Sequence, residues 1–429
     1  MARLQGFPSF GIQDRVMEGM IDFIAIIAAL RHRKIAACLI VAEIAVAFAI
    51  LSNALSLIGA EVERLTISSG TAESNLVDLF VNPTPGSDRT NSEAAMRQDV
   101  RALAGIAGVK AVSVLNQVPY GGGESVGGID LKPDQHRLGL AVAMYLGNEG
   151  AIATLGLRLI AGRGFRADEM IPYSRDITPP VAILTRAAAM KLFGESNAVG
   201  RIVYHAMGRG KMTQVRVIGV VDKLVWPILL PGDTGEEEYS IIFPEWPSYA
   251  PQAHYLLRTS RAQMPRIERE AKQILAKSNP AVQVRWAGPL TELKSKYFRQ
   301  ERSMTWTLVA VCLALLIVTA AGIFGLTSVW MRERVHQIGI RRALGATRGR
   351  ILAHYLLENL PLAAVGVLLG AALAFATSTY LLVHGYSLSR LPAPYVIVGA
   401  AVLLGLNQLA VLGPARRAAA IAPAEAARL

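Results

Sequence analysis

The hydrophobic pattern is dominated by four long intervals that contain almost no charged residue. The first runs from Ile35 to Ala60 and carries a single charge, Glu43. No Asp, Glu, Lys or Arg occurs in residues 303–331, 359–383 or 391–415. A helix rises about 1.5 Å per residue, so about 20 apolar residues cross the hydrocarbon core of a bilayer. We therefore predict transmembrane helices at residues 35–60, 304–331, 355–383 and 393–413.

The composition agrees with a membrane protein. The chain of 429 residues is 52% hydrophobic and only 18% charged, whereas soluble domains carry about 25% charged residues. Its two cysteines, Cys38 and Cys312, each lie in an apolar interval, so they provide neither a disulfide framework nor a zinc cluster. Intrinsic disorder and a small secreted disulfide scaffold are excluded as classes.

Basic residues beside the apolar intervals predict the orientation, because loops rich in Lys and Arg stay in the cytoplasm. They are Arg31, Arg33, Lys34, Arg332, Arg334, Arg341, Arg342, Arg348, Arg350, Arg416, Arg417 and Arg428. The predicted cytoplasmic segments are 1–34, which includes an amphipathic helix at Met17–Leu30, 332–354 and 414–429. Residues 61–303 and a hairpin at 384–392 are then outside. The net charge of +12 reflects this topology, and we predict no nucleic-acid partner.

Residues 61–303 are long enough to bury a core of their own and show mixed α and β patterns. One predicted β-α-β unit consists of strand Leu76–Val81, helix Ser92–Ala104 and strand Val109–Leu115. A second consists of strand His254–Thr259, helix Arg261–Lys277 and strand Val282–Trp286. Two such units can share one sheet in the ferredoxin-like manner. Between them, at 119–251, frequent Gly and Pro and short β-like runs predict an inserted strand-rich subdomain. The predicted fold class is an α-helical membrane protein with four transmembrane helices and an α+β extracytoplasmic domain.

Two motifs resemble catalytic or nucleotide-binding signatures, but their contexts do not fit. Gly123–Gly127 matches the G-x-S-x-G pattern of a nucleophile elbow around Ser125, which needs a strand before the serine and a helix after it. Neither is predicted, so we interpret the motif as a glycine-rich turn. Gly210-Lys211 is followed by Met212 instead of Ser or Thr, which does not fit a phosphate-binding loop. The seven histidines show no metal-ligand spacing. We predict a chain that is not an enzyme, with no catalytic residue and no bound metal or cofactor.

The stretch after the second predicted helix is the most informative. Residues 330–347 run Trp-Met-Arg-Glu-Arg-Val-His-Gln-Ile-Gly-Ile-Arg-Arg-Ala-Leu-Gly-Ala-Thr. This stretch resembles the signature of the MacB/FtsX-like family of ABC transporter permease subunits, in which a basic pair precedes E-I-G-I-R-x-A-x-G-A. Gln337 stands where the family has Glu. Further segments are similar to the external domain and C terminus of MacB-type permeases: Thr154–Gly156, Ala161–Phe165, Lys191–Gly194, Val199–Arg201, Val217–Val221 and Pro414–Ala426.

The resemblance implies that this stretch forms a short coupling helix that docks on an ATPase. The residues to which it assigns that role are Arg332, Arg334, Gln337, Ile338, Gly339, Ile340, Arg341, Arg342, Leu344 and Gly345. Arginines interspersed with apolar residues also suit a helix at the lipid headgroups that turns an apolar edge toward a partner. The alternative is a segment that only determines topology.

Four polar residues inside the predicted spans are further candidates. Glu43 lies about 12 Å along its helix from Ile35, too deep for a short side chain to reach the headgroups easily, so it should face protein or water. A substrate contact, a proton site and a carboxylate paired with an arginine all stay open for it. Asn53 and the pair Asn407-Gln408 are predicted to join helices rather than to bind a ligand.

These observations predict a permease subunit of an ABC transporter in the bacterial inner membrane. As the resemblance implies, a separate ATPase subunit binds ATP and Mg²⁺, and two permease chains assemble as a homodimer or heterodimer. Their outside domains then expel a substrate from the periplasm or outer leaflet toward a periplasmic adaptor and an outer-membrane channel. The alternative is an FtsX-type regulator that activates a periplasmic cell-wall hydrolase without transport. The sequence leaves the substrate open.

Overall fold

The computed structural model describes residues 34–84, 92–123, 125–133, 139–174, 177–207, 211–229, 235–250, 252–384 and 391–420. The predicted amphipathic helix Met17–Leu30, most of the predicted 384–392 hairpin and the chain after Ala420 lie outside these residues. The chain divides into two compact units. Glu63–Arg302 form the α/β unit, and the chain on either side of it forms the helical unit.

The described residues form ten α-helices: α1 (Lys34–Thr66), α2 (Ser92–Ala104), α3 (Ala151–Leu155), α4 (Arg186–Phe193), α5 (Met264–Ser278), α6 (Leu290–Tyr297), α7 (Arg299–Glu333), α8 (Val335–Ala343), α9 (Arg348–Val383) and α10 (Ala393–Ala420). They also form eleven strands: β1 (Leu76–Pro83), β2 (Ala111–Leu115), β3 (Val126–Asp130), β4 (Leu140–Gly147), β5 (Leu159–Gly162), β6 (Val181–Thr185), β7 (Ile202–Met207), β8 (Lys211–Val221), β9 (Ser240–Pro244), β10 (Ala253–Arg258) and β11 (Val282–Pro289). Four of the helices, α1, α7, α9 and α10, are long and apolar enough to cross a membrane.

These four helices extend past the predicted spans, because a helix can continue into polar flanks after its apolar stretch ends. α9 begins at Arg348, whereas the predicted span begins at residue 355. α10 continues through Pro414 to Ala420. Each of these helices is therefore longer than the span predicted from hydropathy.

Close packing of α1 against α9 builds part of the helical unit's core. A Cβ added at Gly366 of α9 would lie 2.8 Å from the side chain of Ile44, and one at Gly370 would lie 2.6 Å from the carbonyl oxygen of Ala45. Glycines four residues apart lie on one face of a helix and let a neighbouring backbone approach closely. Gly366 and Gly370 therefore allow a helix contact that larger residues would prevent.

In the α/β unit, the two predicted β-α-β units lie in one sheet. Their four strands have the order β11-β1-β10-β2, and each neighbouring pair is antiparallel. Helix α5 packs on this part through Met264, Ile267, Ala271 and Leu275, which are buried and repeat every three or four residues, as on one face of a helix. The strand order fits two interleaved β-α-β units, while the ferredoxin-like assignment stays a prediction.

The strands of the predicted insertion continue the same sheet and close on themselves. From β4 the pairings run through β3, β7, β8, β6 and β9, and β9 pairs with β4 in parallel. Buried side chains of these strands, among them Val142, Val203, Val217 and Ile241, form one core cluster. Closure into a ring removes free strand edges. The insertion is thus a six-stranded ring with β5 paired to β8 beside it, and it joins the four-stranded part through the pairing of β2 with β4.

Candidate functional site

Helix α8 is a separate short helix between α7 and α9. Arg334 leaves the helical conformation, with φ −103° and ψ 3°, and this separates α7 from α8. After α8, Gly345 has a φ of 95°, a left-handed conformation that favours glycine. Thr347 then caps α9, because its Oγ1 accepts a hydrogen bond from the backbone N–H of Arg350 at 3.3 Å. Arg334 on one side and Gly345 and Thr347 on the other thus mark the limits of α8. We call the segment Arg332–Thr347 the arginine-rich connection.

The apolar residues of α8 divide between two faces. Ile338 is only 2% exposed and packs in the core of the helical unit with Tyr355, and Gly339 is buried next to it. In contrast, Ile340 is 51% exposed and Leu344, directly after the helix, is 83% exposed. One face of α8 is thus fixed to its own chain, and the other presents apolar side chains at the surface.

Most of the other residues of the predicted coupling set are also exposed. Arg332, Gln337, Arg341 and Gly345 are exposed, and Arg342 is half-buried. Exposed apolar side chains with arginines beside them in the chain suit a protein interface, whose buried core is apolar and in which Arg is enriched. The exposed face of α8 is therefore a candidate docking surface.

Arg334 is directed into the helical unit instead. Its Nη1 lies 2.7 Å and 2.8 Å from Oε1 and Oε2 of Glu358 on α9. The Glu358 side chain is 7% exposed and that of Arg334 21%, so solvent screens the pair little. The guanidinium also lies over the Trp330 ring, 5.3 Å from its centroid. This ion pair ties the start of α8 to α9.

Sequence reasoning missed Glu358 as a site residue. The signal was present, because Glu358 is the single carboxylate within the predicted span 355–383, and an ionisable residue at such a position usually has a partner. The arginine that pairs with it is 24 residues away in the chain. No periodicity or local motif indicates a pairing over that separation.

A polar layer continues from this ion pair between α9 and α10. Asn359 Nδ2 donates to Asn407 Oδ1 at 3.0 Å, and Gln408 Nε2 donates to the carbonyl oxygen of Leu356 at 3.4 Å. A cavity of about 20 Å³ beside the layer is lined by Thr327, Trp330, Met331, Arg334, Tyr355, Glu358, Asn359 and Val411. It has room for about one water molecule and is too small for a drug-sized ligand.

Glu43 and Asn53, on α1, have different neighbours. The Glu43 carboxylate lies against Gly322 of α7, where an added Cβ would collide with it. Asn53 Nδ2 donates to the carbonyl oxygens of Ala49 and, on α9, Ala374, at 2.9 Å and 3.4 Å. The four predicted intramembrane candidates therefore do not form one site.

The α/β unit gives the G-x-S-x-G motif no elbow geometry. Ser125 is followed by strand β3, where a nucleophile elbow needs a helix. Its backbone N–H donates to Gln117 Oε1 at 2.9 Å. Within the described ranges, no three His, Cys, Asp or Glu side chains lie close enough together to hold a metal ion.

Comparison with protein families gives matches in both units. The family model of the MacB-like periplasmic core domain matches residues 40–285, and that of the FtsX-like permease C-terminal region matches residues 309–423. The second match contains the arginine-rich connection and the polar layer.

Individual relatives agree with these matches. The chain is 24% identical over 380 residues to YknZ, an ABC transporter permease of Bacillus subtilis, covering 86% of this chain and 89% of YknZ. It is 25% identical over 283 residues to the macrolide export ATP-binding/permease protein MacB of Chromobacterium violaceum, covering 63% of this chain but only 41% of that protein. Among solved structures, the extracellular domain of YknZ is 18% identical with a TM-score of 0.31, and the match covers 48% of this chain and 98% of that domain. For the periplasmic region of MacB from Actinobacillus actinomycetemcomitans, the identity is 15%, the TM-score 0.33 and the coverage 54% and 97%.

Proposed function

The chain belongs to the MacB/FtsX-like family of ABC transporter permeases, and from this premise we propose that it couples ATP hydrolysis by a partner ATPase to motion of its periplasmic domain. The observation that carries the proposal is the two-sided packing of α8. Ile340 and Leu344 are exposed for a partner, while Ile338 is buried in the chain's own core. A helix held on one side and free on the other can pass on a displacement.

A route for that displacement follows from the contacts of α8. A push on its exposed face moves Ile338, which is packed in the core, and Arg334, which is bonded to Glu358 of α9. The hydrogen bond between Asn359 and Asn407 extends the link to α10. Packed helices shift as bodies rather than deform continuously. The polar layer therefore supports movement of α8, α9 and α10 as one body.

The ATPase would bind ATP and Mg²⁺, since the chain does not contain the phosphate-binding motif G-x-x-x-x-G-K-[ST]. We place the assembly in the bacterial inner membrane, with two permease chains and with export of a substrate from the periplasm or outer leaflet. The relatives named macrolide export proteins support export, and a periplasmic adaptor and outer-membrane channel would receive the substrate. An FtsX-type regulator of a cell-wall hydrolase is the second candidate, supported by the FtsX-like match to the helical unit.

The test of the proposal is the double variant Ile340→Asp/Leu344→Asp, expressed in the full chain together with its ATPase. Docking would have to bury two unpaired charges in an apolar contact. We expect the amount of ATPase that co-purifies to fall about tenfold or more, which corresponds to at least about 1.4 kcal/mol of association free energy. Stimulated ATP hydrolysis should fall in parallel.

The matched control is Arg348→Ala, an exposed position directly after the arginine-rich connection, which should retain the ATPase. Gly339→Asp is a poor probe because Gly339 is buried in the chain itself, so it would test folding as well as docking. If the double variant inserts normally and keeps both the ATPase and full hydrolysis, the arginine-rich connection only determines topology and the proposal is wrong.

A further inference from the structure

A half-buried ion pair joins the two ends of the α/β unit. Lys294 Nζ donates to Glu73 Oε2 at 3.2 Å and to the carbonyl oxygen of Ile67 at 2.7 Å. Glu73 Oε1 also accepts the Tyr120 hydroxyl and the backbone N–H of Ser69, each at 3.1 Å. The side chains of Lys294 and Glu73 are both less than one-fifth exposed. Both carboxylate oxygens of Glu73 thus accept hydrogen bonds.

Tyr120 has an unusual backbone. Among the described residues it is the one non-glycine residue with a positive φ, 65°, a conformation that costs a bulky residue free energy and persists only where the surroundings enforce it. It is 2% exposed and packs with Leu229 and Phe298. Burial first, and then the Glu73 carboxylate, raise the pKa of Tyr120 above its ordinary value, so the phenol keeps its proton and can donate it in a hydrogen bond.

Glu73 and Lys294 lie near the two points at which the chain enters and leaves the α/β unit. Ile67–Glu73 directly follow α1, the first apolar helix, and Lys294 lies on α6, directly before α7. A second link has the same arrangement: Arg64 Nη2 donates to the carbonyl oxygen of Leu229 at 2.9 Å, and the N–H of Leu229 donates to Tyr297 Oη at 2.9 Å. The two ends of the α/β unit are therefore bonded to each other directly, through Lys294 and Glu73, and indirectly, through Leu229.

We infer that Glu73, Tyr120 and Lys294, here called the base clamp, are positioning residues that hold the two ends of the α/β unit together, so that displacement of both spans moves the unit as one body. The inference rests on the proposed function, because it names the residues through which that motion would be passed on. Without the base clamp, the two ends of the α/β unit separate, and ATP-driven displacement of the helices no longer moves the unit as one body.

The test uses the full chain assembled with its ATPase, in a background where Cys38 and Cys312 are replaced by Ala. Nitroxide labels at Ser68→Cys and Thr291→Cys, both exposed, report the separation of the two ends within one chain. In a second preparation, a label at Ser248→Cys on each of two chains reports motion of the α/β units when ATP is trapped by vanadate. Both distances are measured by double electron–electron resonance.

Lys294→Met should broaden the distance distribution between positions 68 and 291 and abolish the ATP-dependent shift at position 248, while Lys294→Arg should restore both. Lys296→Met is the matched control, since Lys296 lies on the same helix in an exposed ion pair with Glu292 at 2.8 Å; it should behave as wild type. Tyr120→Phe, which removes only the hydroxyl, should produce the same changes to a smaller degree, so the test does not depend on the folding of Lys294→Met alone.

Wild-type distributions and a full shift in both Lys294→Met and Tyr120→Phe would overturn the clamp. A merely structural role predicts a lower unfolding temperature with the ATP-dependent shift intact, and that result also overturns it. If the wild-type chain itself shows no shift at position 248, the proposed function fails, whereas the clamp is still judged by the separation of positions 68 and 291.

Discussion

Replacing Glu358 alone should destabilise the helical unit more than replacing Glu358 and Arg334 together. The two side chains make contacts of 2.7 Å and 2.8 Å and are 7% and 21% exposed. Glu358→Met keeps the side-chain volume but leaves the guanidinium in the unit without its carboxylate. Arg334→Met/Glu358→Met removes both charges, so no unpaired charge stays behind.

The expected magnitude follows from this burial. Removing one partner of a fully buried pair costs about 3–5 kcal/mol, and because Arg334 keeps some exposure we expect about 2–4 kcal/mol for Glu358→Met. For a unit of this size, about 3 kcal/mol corresponds to a fall of roughly 6–12 °C in the unfolding midpoint. The double variant should lie within about 1 kcal/mol of wild type, which gives a coupling energy of a few kcal/mol.

The assay must report the helical unit alone, since the α/β unit can unfold separately. Cys312 is buried in the helical unit, whereas Cys38 is exposed. In a Cys38→Ala background, reaction of Cys312 with a thiol-reactive dye during heating therefore follows unfolding of that unit. Equal midpoints for wild type and Glu358→Met, or destabilisations that simply add in the double variant, would refute the reasoning.

Three further predictions concern topology, pH and helix packing. Ser248→Cys should react with a membrane-impermeant maleimide in intact spheroplasts and Thr347→Cys only after lysis; labelling of position 347 from outside contradicts the orientation. Burial raises the pKa of Glu245 from 4.5 to about 7, so its contribution to stability is present below pH 4.5 and is lost as the pH rises through about 7. Glu245→Gln should therefore stabilise the α/β unit by up to about 3 kcal/mol at pH 8 and by little at pH 4.5, and equal unfolding midpoints of wild type and variant at pH 8 would refute this. Gly370→Leu should place a side chain against Ala45 of α1 and lower the dye-detected unfolding midpoint. Gly405→Leu on α10, where an added Cβ meets no neighbour, should leave the midpoint unchanged. Equal effects of the two variants would show that the close approach of α1 and α9 does not matter.

The sequence predicted those parts of the fold that depend on local pattern. Helix α2 has the predicted bounds, Ser92–Ala104, because its apolar positions and the Gly105 that follows it are both local signals. Four apolar helices are present as expected. The ring of six strands was not predicted, since the pairing of β4 with β9 joins residues about 100 positions apart and strand partners cannot be inferred from hydropathy.

The candidate site shows the same division. The resemblance located the arginine-rich connection, yet it grouped Ile338 with Ile340, two residues apart on a helix and therefore on different faces. Only the packing of α8 shows that Ile338 is buried and Ile340 exposed. Likewise, Arg334 belongs to a basic stretch in the sequence, and its role in an internal ion pair depends on Glu358, which the chain brings near only through the fold.

Photo-crosslinking from Leu344 tests the central claim most directly. A benzoylphenylalanine at this position, 83% exposed at the end of α8, should crosslink to the ATPase in the assembled complex. The same probe at Trp306, 68% exposed near the opposite end of α7, should react with lipid or detergent and give no ATPase adduct. An ATPase adduct from position 344 and none from position 306 is the result predicted here, whereas no adduct from position 344 in a complex that still hydrolyses ATP would contradict it.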